Sequence, residues 1–201
     1  MNRNELPYFE IGDSYGGNQR WFLDPWMHIG GCGALTMCDF LIYEAVCKGR
    51  KDCYPKDPEH LTRRDYRRFG MEVKPYLRPR ESGIKDLGTF VEGAARYLED
   101  SEIEGFAMET LEGSAPLEEA EKVIRDRIDA GLPVPMLLLK HQDSKFNFFE
   151  WHWFPIIGYE EEDGKMQIKT ATYGKAHWLP LGELWDTGQE ERGGLVIIKE
   201  M

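Results

Sequence analysis

A long and largely apolar stretch of the chain begins directly after a group of glycines. Residues 32–48 read CGALTMCDFLIYEAVCK, and the polar side chains Thr36, Asp39 and Tyr43 recur there at the i, i+3, i+7 spacing of one helical face. Such a run is long enough and apolar enough to form a helix that is buried over most of its surface. We interpret the polar stripe as the edge of this helix that faces solvent.

Further along the chain, the apolar positions first follow a helical period and then alternate as they do in strands. A helix is predicted between Ser114, which can cap it, and Gly131, which ends it. Before this helix, residues 103–111 form either a short strand or a connector. After it come five apolar runs, and an Asp163–Gly164 pair marks a hairpin turn between the second and the third. The runs are residues 134–140, 149–159, 166–172, 176–179 and 195–199.

Helices followed by an antiparallel sheet of about five strands indicate an α+β domain. The length of 201 residues suits a single domain, with a helical part at about 14–131 and a sheet part at about 133–201. The net charge of −11 argues against a protein that binds nucleic acid or an anionic membrane surface.

The chain shows no apolar segment of the length that spans a membrane and no signal-peptide pattern near Met1, so we expect a cytoplasmic protein. The four cysteines, at positions 32, 38, 47 and 53, lack the close Cys-x-x-Cys pairs of a zinc site. No loop has the glycine pattern that cradles a phosphate. We therefore expect neither a metal nor a cofactor.

Cys32 is the candidate nucleophile, because it stands between glycines at the start of the predicted buried helix. The sequence Gly30-Gly31-Cys32-Gly33 allows a tight loop to approach a ligand closely. The free N–H groups and the positive dipole end of a helix N-terminus favour a thiolate over a thiol. From this position alone we expect a lowered pKa for the Cys32 thiol.

His152 is the candidate base, and it lies in the apolar run EWHWFPIIGY. A lone histidine in such a strand is usually a core residue. A cysteine at a helix start and a histidine on a later strand are, however, what a thiol–imidazole pair requires, because the two groups converge from different elements to about 3–4 Å. His28 and His177 are alternative bases.

Several segments together resemble the papain-like cysteine peptidases. They are Gly31-Cys32-Gly33 opening a helix, the helix end AGLPVPMLLLK, the strand HWFPIIGYEEEDGKMQIKTATYG and the later LPLGELW. Within that superfamily the chain is most similar to the bacterial branch that includes the leader-cleaving peptidases of bacteriocin exporters. The resemblance implies a papain-like fold in which Cys32 is the nucleophile and His152 is the general base and acid.

Two positions depart from the papain pattern. Ala171 stands where an asparagine would orient the histidine, so the hydroxyl of Thr170 or Thr172 is the expected substitute. A hydroxyl stabilises an imidazolium less than a carboxylate does. The resemblance also implies an oxyanion-binding side-chain amide before the cysteine, for which Gln19 is the candidate and Asn18 the second choice.

These features predict hydrolysis of a peptide or amide bond through a thioester on Cys32. Transfer of the acyl group to an amine on the same pair is an alternative. A different class of function, a catalytically weak or inactive module that binds a peptide in the same cleft, is favoured by Ala171. The arginine-rich region 49–83 is interpreted as a solvated face or a surface for acidic partners, and the six tryptophans as core packing or a cleft wall.

Overall fold

The computed structural model describes residues 2–201. Six α-helices and four short 3₁₀ turns alternate with nine strands along this part of the chain. The helices are α1 (Pro25–Gly30), α2 (Cys32–Cys47), α3 (Arg63–Val73), α4 (Leu87–Asp100), α5 (Leu117–Asp129) and α6 (Leu181–Trp185). The strands are β1 (Asn2–Glu5), β2 (Glu10–Ile11), β3 (Ser14–Tyr15), β4 (Phe106–Glu112), β5 (Val134–Leu138), β6 (His152–Glu162), β7 (Lys165–Thr172), β8 (Lys175–Pro180) and β9 (Gly193–Glu200).

Seven of the strands form one antiparallel sheet in the order β4-β9-β5-β6-β7-β8, with β1 beside β6. β5 and β1 occupy successive parts of the same edge of β6, since Leu138 pairs with His152 and Glu5 pairs with Gly158. The small β2–β3 hairpin lies outside this sheet. The sheet and its helices give the α+β architecture that the sequence predicts.

Helix α2 is the central element, and β6 packs against it. Its side chains are buried from Cys32 to Ala45, which fits the apolar composition of the run. The polar stripe is buried as well, so our interpretation of Thr36, Asp39 and Tyr43 as a solvent edge is wrong. These groups are satisfied inside the protein instead: for example, the Tyr43 hydroxyl donates to the carbonyl of Gly131 at 3.0 Å.

The five predicted strand runs all contain strands, with bounds that shift by up to three residues. β6 begins at His152 rather than at residue 149, because residues 144–149 form a 3₁₀ turn. The Asp163–Gly164 hairpin turn is present, with φ values of +50° and +72°. β4 shows that residues 103–111, for which a strand and a connector were both possible, contain a strand. β1 was not predicted, because its four residues are all polar.

A single cluster of buried apolar side chains runs between the helices and the sheet. The division at about residue 131 stays a prediction, as does the single-domain boundary. Among residues 2–201, no helix combines the length and the apolar character needed to cross a membrane.

Trp153 joins three parts of this core near the start of β6. Its ring stacks on Phe90 of α4 with centroids 4.3 Å apart, and its Nε1–H donates to the carbonyl of Ile84 at 2.8 Å. The side chain is only 1% exposed. The strand that begins with His152 is therefore fixed to the segment that leads into α4.

We predict that Trp153→Phe lowers the free energy of unfolding by about 2–3 kcal/mol, because it leaves a cavity and deprives the Ile84 carbonyl of its donor. Urea titration followed by circular dichroism measures this change. The matched control is Trp178→Phe, at a side chain that is 37% exposed, for which a change of about 0.5 kcal/mol or less is expected. Equal stabilities of the two variants would contradict this account of the core.

Candidate active site

Cys32 is the first residue of α2 because a pair of glycines lets two helices meet there. Gly31 is both the C-cap of α1 and the N-cap of α2. Its N–H donates to the carbonyl of Met27 in the last turn of α1. A Cβ on Gly31 would lie 2.4 Å from the Met27 carbonyl oxygen, and one on Gly30 would lie 2.2 Å from that of Arg80. Only glycine fits so close to neighbouring backbone. The glycines therefore place the thiol at the helix N-terminus, as the sequence predicts.

His152 is the first residue of β6, and the residue before it has an unusual backbone. Trp151 has a φ of +53°, a left-handed value that is rare for a bulky side chain, and its N–H donates to the carbonyl of Leu139. The His152 ring stacks on Tyr173 with centroids 4.9 Å apart and planes 8° apart. Its Nε2 forms a hydrogen bond of 2.7 Å with the hydroxyl of Thr172. These contacts fix the ring on two sides.

The structure brings Cys32 and His152 to the same place. Both line a small cavity of about 20 Å³ between α2 and β6, and both line a second, larger cavity of about 390 Å³. The first turn of α2 and the start of β6, where Trp153 follows His152, therefore border the same space. Because Nε2 of His152 is bonded to Thr172, Nδ1 is the ring nitrogen left for another partner.

The electrostatics of the pair differ from the sequence expectation. Cys32 and His152 are each only 5% exposed. Burial raises the pKa of the Cys32 thiol, although backbone N–H groups of Trp153 and Gly33 act in the opposite direction. Burial also lowers the pKa of His152 to about 3. The expectation of a lowered thiol pKa was wrong, since desolvation outweighs the helix N-terminus, and the pair is neutral at pH 7.

Gln19 lines both cavities beside Cys32. Its Nε2 donates to the carbonyl of His28 at 2.8 Å, which leaves a second N–H on that nitrogen. Its Oε1 is buried and has no hydrogen-bond partner among residues 2–201. Asn18, the second choice, donates instead to the carbonyl of Tyr173 at 3.0 Å and lines neither cavity. Gln19 is thus the amide that the structure brings to the cysteine.

The two candidate threonines have different partners. Thr170 donates its hydroxyl to the carbonyl of Pro155 at 2.7 Å, whereas Thr172 is bonded to His152. Ala171, where the papain pattern has an asparagine, lines the small cavity and is buried. The hydroxyl beside the imidazole is therefore that of Thr172.

The alternative histidines lie outside the two cavities that Cys32 lines. The ring of His28 is bonded through Nδ1 to the carbonyl of Phe22 at 3.3 Å. The His177 ring, on β8, packs against Phe148 and Phe149.

Sequence reasoning missed two parts of the site. Tyr173, which stacks on His152, follows β7 in a turn, and its φ of +50° is not signalled by the residue type. The turn at Glu81, Ser82 and Gly83 borders the larger cavity, and a Cβ on Gly83 would lie 3.9 Å from the Cys32 sulfur. Of the six tryptophans, Trp151 and Trp153 line cavities that contain Cys32.

Comparison with solved structures identifies the fold. UfSP from C. elegans, a papain-like cysteine protease, is similar to this chain with a TM-score of 0.51 at 11% sequence identity. The match covers 100% of this chain and 34% of the UfSP chain, so this chain spans about a third of that protein's length. No family model and no curated protein matches the sequence. The α+β, papain-like fold predicted from the sequence is thereby confirmed.

We predict that the rate of iodoacetamide modification at Cys32 rises steadily with pH through pH 9, because burial raises the thiol pKa and the neutral imidazole adds no charge. Peptide mass spectrometry separates Cys32 from the other thiols. His152→Ala is expected to shift the profile little. A high, level rate below pH 6 that disappears in His152→Ala would contradict a neutral pair.

The low pKa of His152 also predicts a pH dependence of stability. The unfolded chain binds a proton at this residue below its ordinary pKa of 6.5, and the folded chain does so only below about 3. Stability is therefore lost as the pH falls from 6.5 towards 3, by up to about 1.4 kcal/mol per pH unit.

Urea titrations at pH 7 and pH 4.5 measure this effect. Between these two pH values, the free energy of unfolding of the wild type should fall by about 2 kcal/mol more than that of His152→Gln, which has no titrating ring. The other ionisable groups are common to both proteins and cancel in the comparison. Equal losses would show that His152 takes up its proton normally in the folded state.

Proposed function

We propose that this protein is a cysteine hydrolase of peptide or amide bonds, with Cys32 as the nucleophile and His152 as the general base. One observation carries the proposal: two residues 120 positions apart, on α2 and β6, line the same cavities, and one nitrogen of the imidazole is already held by Thr172. The papain-like fold supports the same chemistry by analogy.

In the proposed reaction, Nδ1 of His152 accepts the thiol proton while the Cys32 sulfur attacks the substrate carbonyl carbon. The resulting oxyanion is stabilised by the free amide N–H of Gln19 and by the backbone N–H of Cys32. The tetrahedral intermediate collapses to a thioester, and the leaving amine takes the proton from His152. Water then attacks the thioester carbonyl while His152 takes its proton. The C–S bond breaks, the acid product leaves, and the Cys32 sulfur takes the proton back from His152.

The neutral resting pair sets the order of the first step. Because burial disfavours both the thiolate and the imidazolium, proton transfer accompanies the attack and does not precede it. The Thr172 hydroxyl accepts the Nε2–H of His152 and stabilises the imidazolium less than a carboxylate would. We therefore expect a low to moderate turnover number.

The substrates that we propose are peptides or amides, and the leader-processing branch of the superfamily is the finer assignment within this proposal. That assignment is supported by the order of the segments that begins with Gly31-Cys32-Gly33. All four cysteines are free thiols, which fits a reducing compartment such as the cytoplasm.

A peptide-binding module without turnover is the second candidate function. It is favoured by the buried Ala171 in place of an orienting amide and by the low exposure of both reactive groups. In this case the larger cavity, lined by Trp151 and Tyr173, would hold the peptide without acylation of Cys32.

The experiment is incubation with a pool of cell-derived peptides, followed by mass spectrometry of the new peptide termini. The wild type should produce new termini that are absent with Cys32→Ala, and His152→Ala should lower their rate of formation by 10²- to 10⁴-fold. Cleavage that survives in Cys32→Ala would overturn the proposal. Retention of peptides by the wild type without any cleavage would establish the binding module instead.

A further inference from the structure

Asp39 is a buried carboxylate two helical turns after Cys32, and the reaction proposed above does not use it. Its side chain lines the small cavity that Cys32 and His152 also line, and it is 6% exposed. Among residues 2–201 it forms no ion pair within 4 Å. Instead, Oδ1 accepts from the hydroxyl of Tyr66 on α3 at 2.6 Å, and Oδ2 accepts from the hydroxyl of Tyr8 at 3.3 Å.

The third donor to Asp39 is the backbone of the loop that carries Gln19. The N–H of Gly17 lies 3.4 Å from Oδ2. The loop fits tightly on this group, since a Cβ on Gly17 would lie 1.9 Å from the Tyr66 hydroxyl oxygen and one on Gly16 would lie 3.3 Å from Oδ2. Gln19 follows two residues later. Asp39 thus ties this loop to the helix that begins with Cys32.

The other side of the same loop is bonded to the turn that holds His152. The carbonyl of Gly17 accepts from the N–H of Gly174 at 3.2 Å, and the Asn18 side chain donates to the carbonyl of Tyr173 at 3.0 Å. Tyr173 in turn stacks on the imidazole. One loop therefore connects the Asp39 carboxylate to both the amide and the imidazole of the site.

We propose that Asp39 is a positioning residue of the active site, whose carboxylate holds the loop of residues 16–19 so that the Gln19 amide faces the oxyanion formed on Cys32. The inference rests on the proposed function. It also gives a role to a carboxylate in the same cavity as Ala171, where the orienting side chain of the papain pattern is missing.

This role depends on the charge of Asp39, because an ionised carboxylate accepts stronger hydrogen bonds than a protonated one. Burial raises its pKa to about 7. The titratable groups that face it are Tyr8, Tyr66 and Cys38, with Cys32, His152 and Tyr173 across the cavity. The pKa of His152 is lowered to about 3. The pKa values of the three tyrosines and two cysteines are raised above their ordinary values of 10 and 9. Asp39 is therefore the group of this set that titrates between pH 5 and 8.

The test compares two covalent reactions of Cys32. p-Nitrophenyl acetate forms a bond from the sulfur to the acetyl carbon, releases p-nitrophenolate and passes the thiol proton to His152, through an oxyanion that Gln19 stabilises. Iodoacetamide alkylates the same sulfur without an oxyanion. The ratio of acylation to alkylation rates therefore isolates the oxyanion site, because the ionisation of Cys32 affects both rates.

Asp39→Asn should lower this ratio at pH 8 by at least tenfold, and Gln19→Ala should lower it by more. The double variant Asp39→Asn/Gln19→Ala should have the same ratio as Gln19→Ala alone, because Asp39 acts through Gln19. In the wild type the ratio should rise with pH around 7, and this rise should be absent in Asp39→Asn. The matched control is Glu44→Gln, a buried carboxylate on the same helix whose pKa is also raised to about 7, which should leave the ratio and its pH dependence unchanged.

An unchanged ratio in Asp39→Asn, or independent losses that multiply in the double variant, would overturn the inference while the proposed function stands. A wild type that is alkylated but not acylated at Cys32 would overturn the proposed function and the inference with it. Hydrogen exchange of the peptide that contains residues 16–19 distinguishes a folded variant with a loosened loop from one that has unfolded.

Discussion

The contact between the first turn of α2 and the start of β6 is the constraint on which the site depends. It buries a thiol and an imidazole at the same cavities, with the Trp153 ring anchored to Ile84 and Phe90. Burial of this kind disfavours both charged forms. The packing that brings the two groups to one cavity therefore favours their neutral forms.

Around this contact, the site is assembled from short loops at the ends of regular elements. The loop before α1 supplies Gln19, the turn after β7 supplies Tyr173, and the turn before α4 brings Gly83 to the sulfur. Region 49–83 contributes in two ways: α3 donates the Tyr66 hydroxyl to Asp39, and residues 81–83 border the larger cavity. Regular elements hold the two candidate catalytic side chains, and loops hold the polar and aromatic groups around them.

Much of this arrangement was predictable from the sequence, because the signals are local. Glycines around Cys32 mark a close approach of backbone segments, and an apolar run with one histidine marks a buried strand. The choice between Thr170 and Thr172 was not predictable, since an irregularity in the β6–β7 pairing between Ile156 and Gly158 affects the register. Helical spacing identified the polar stripe of Thr36, Asp39 and Tyr43, but spacing alone cannot tell whether such a stripe faces solvent or a buried cavity. The pKa of Cys32 depends on tertiary burial, which a helix N-terminus does not reveal.

The central proposal is that His152 is a buried, neutral general base whose Nε2 is held by Thr172 and whose Nδ1 is free to accept the Cys32 proton. The most direct measurement is ¹⁵N NMR of the His152 ring nitrogens in labelled protein between pH 4 and 8, with His152→Gln used to assign the signals. The account predicts a neutral ring with hydrogen on Nε2 and a free lone pair on Nδ1 over this whole range. An imidazolium at pH 7, or a neutral ring with its hydrogen on Nδ1, would contradict it.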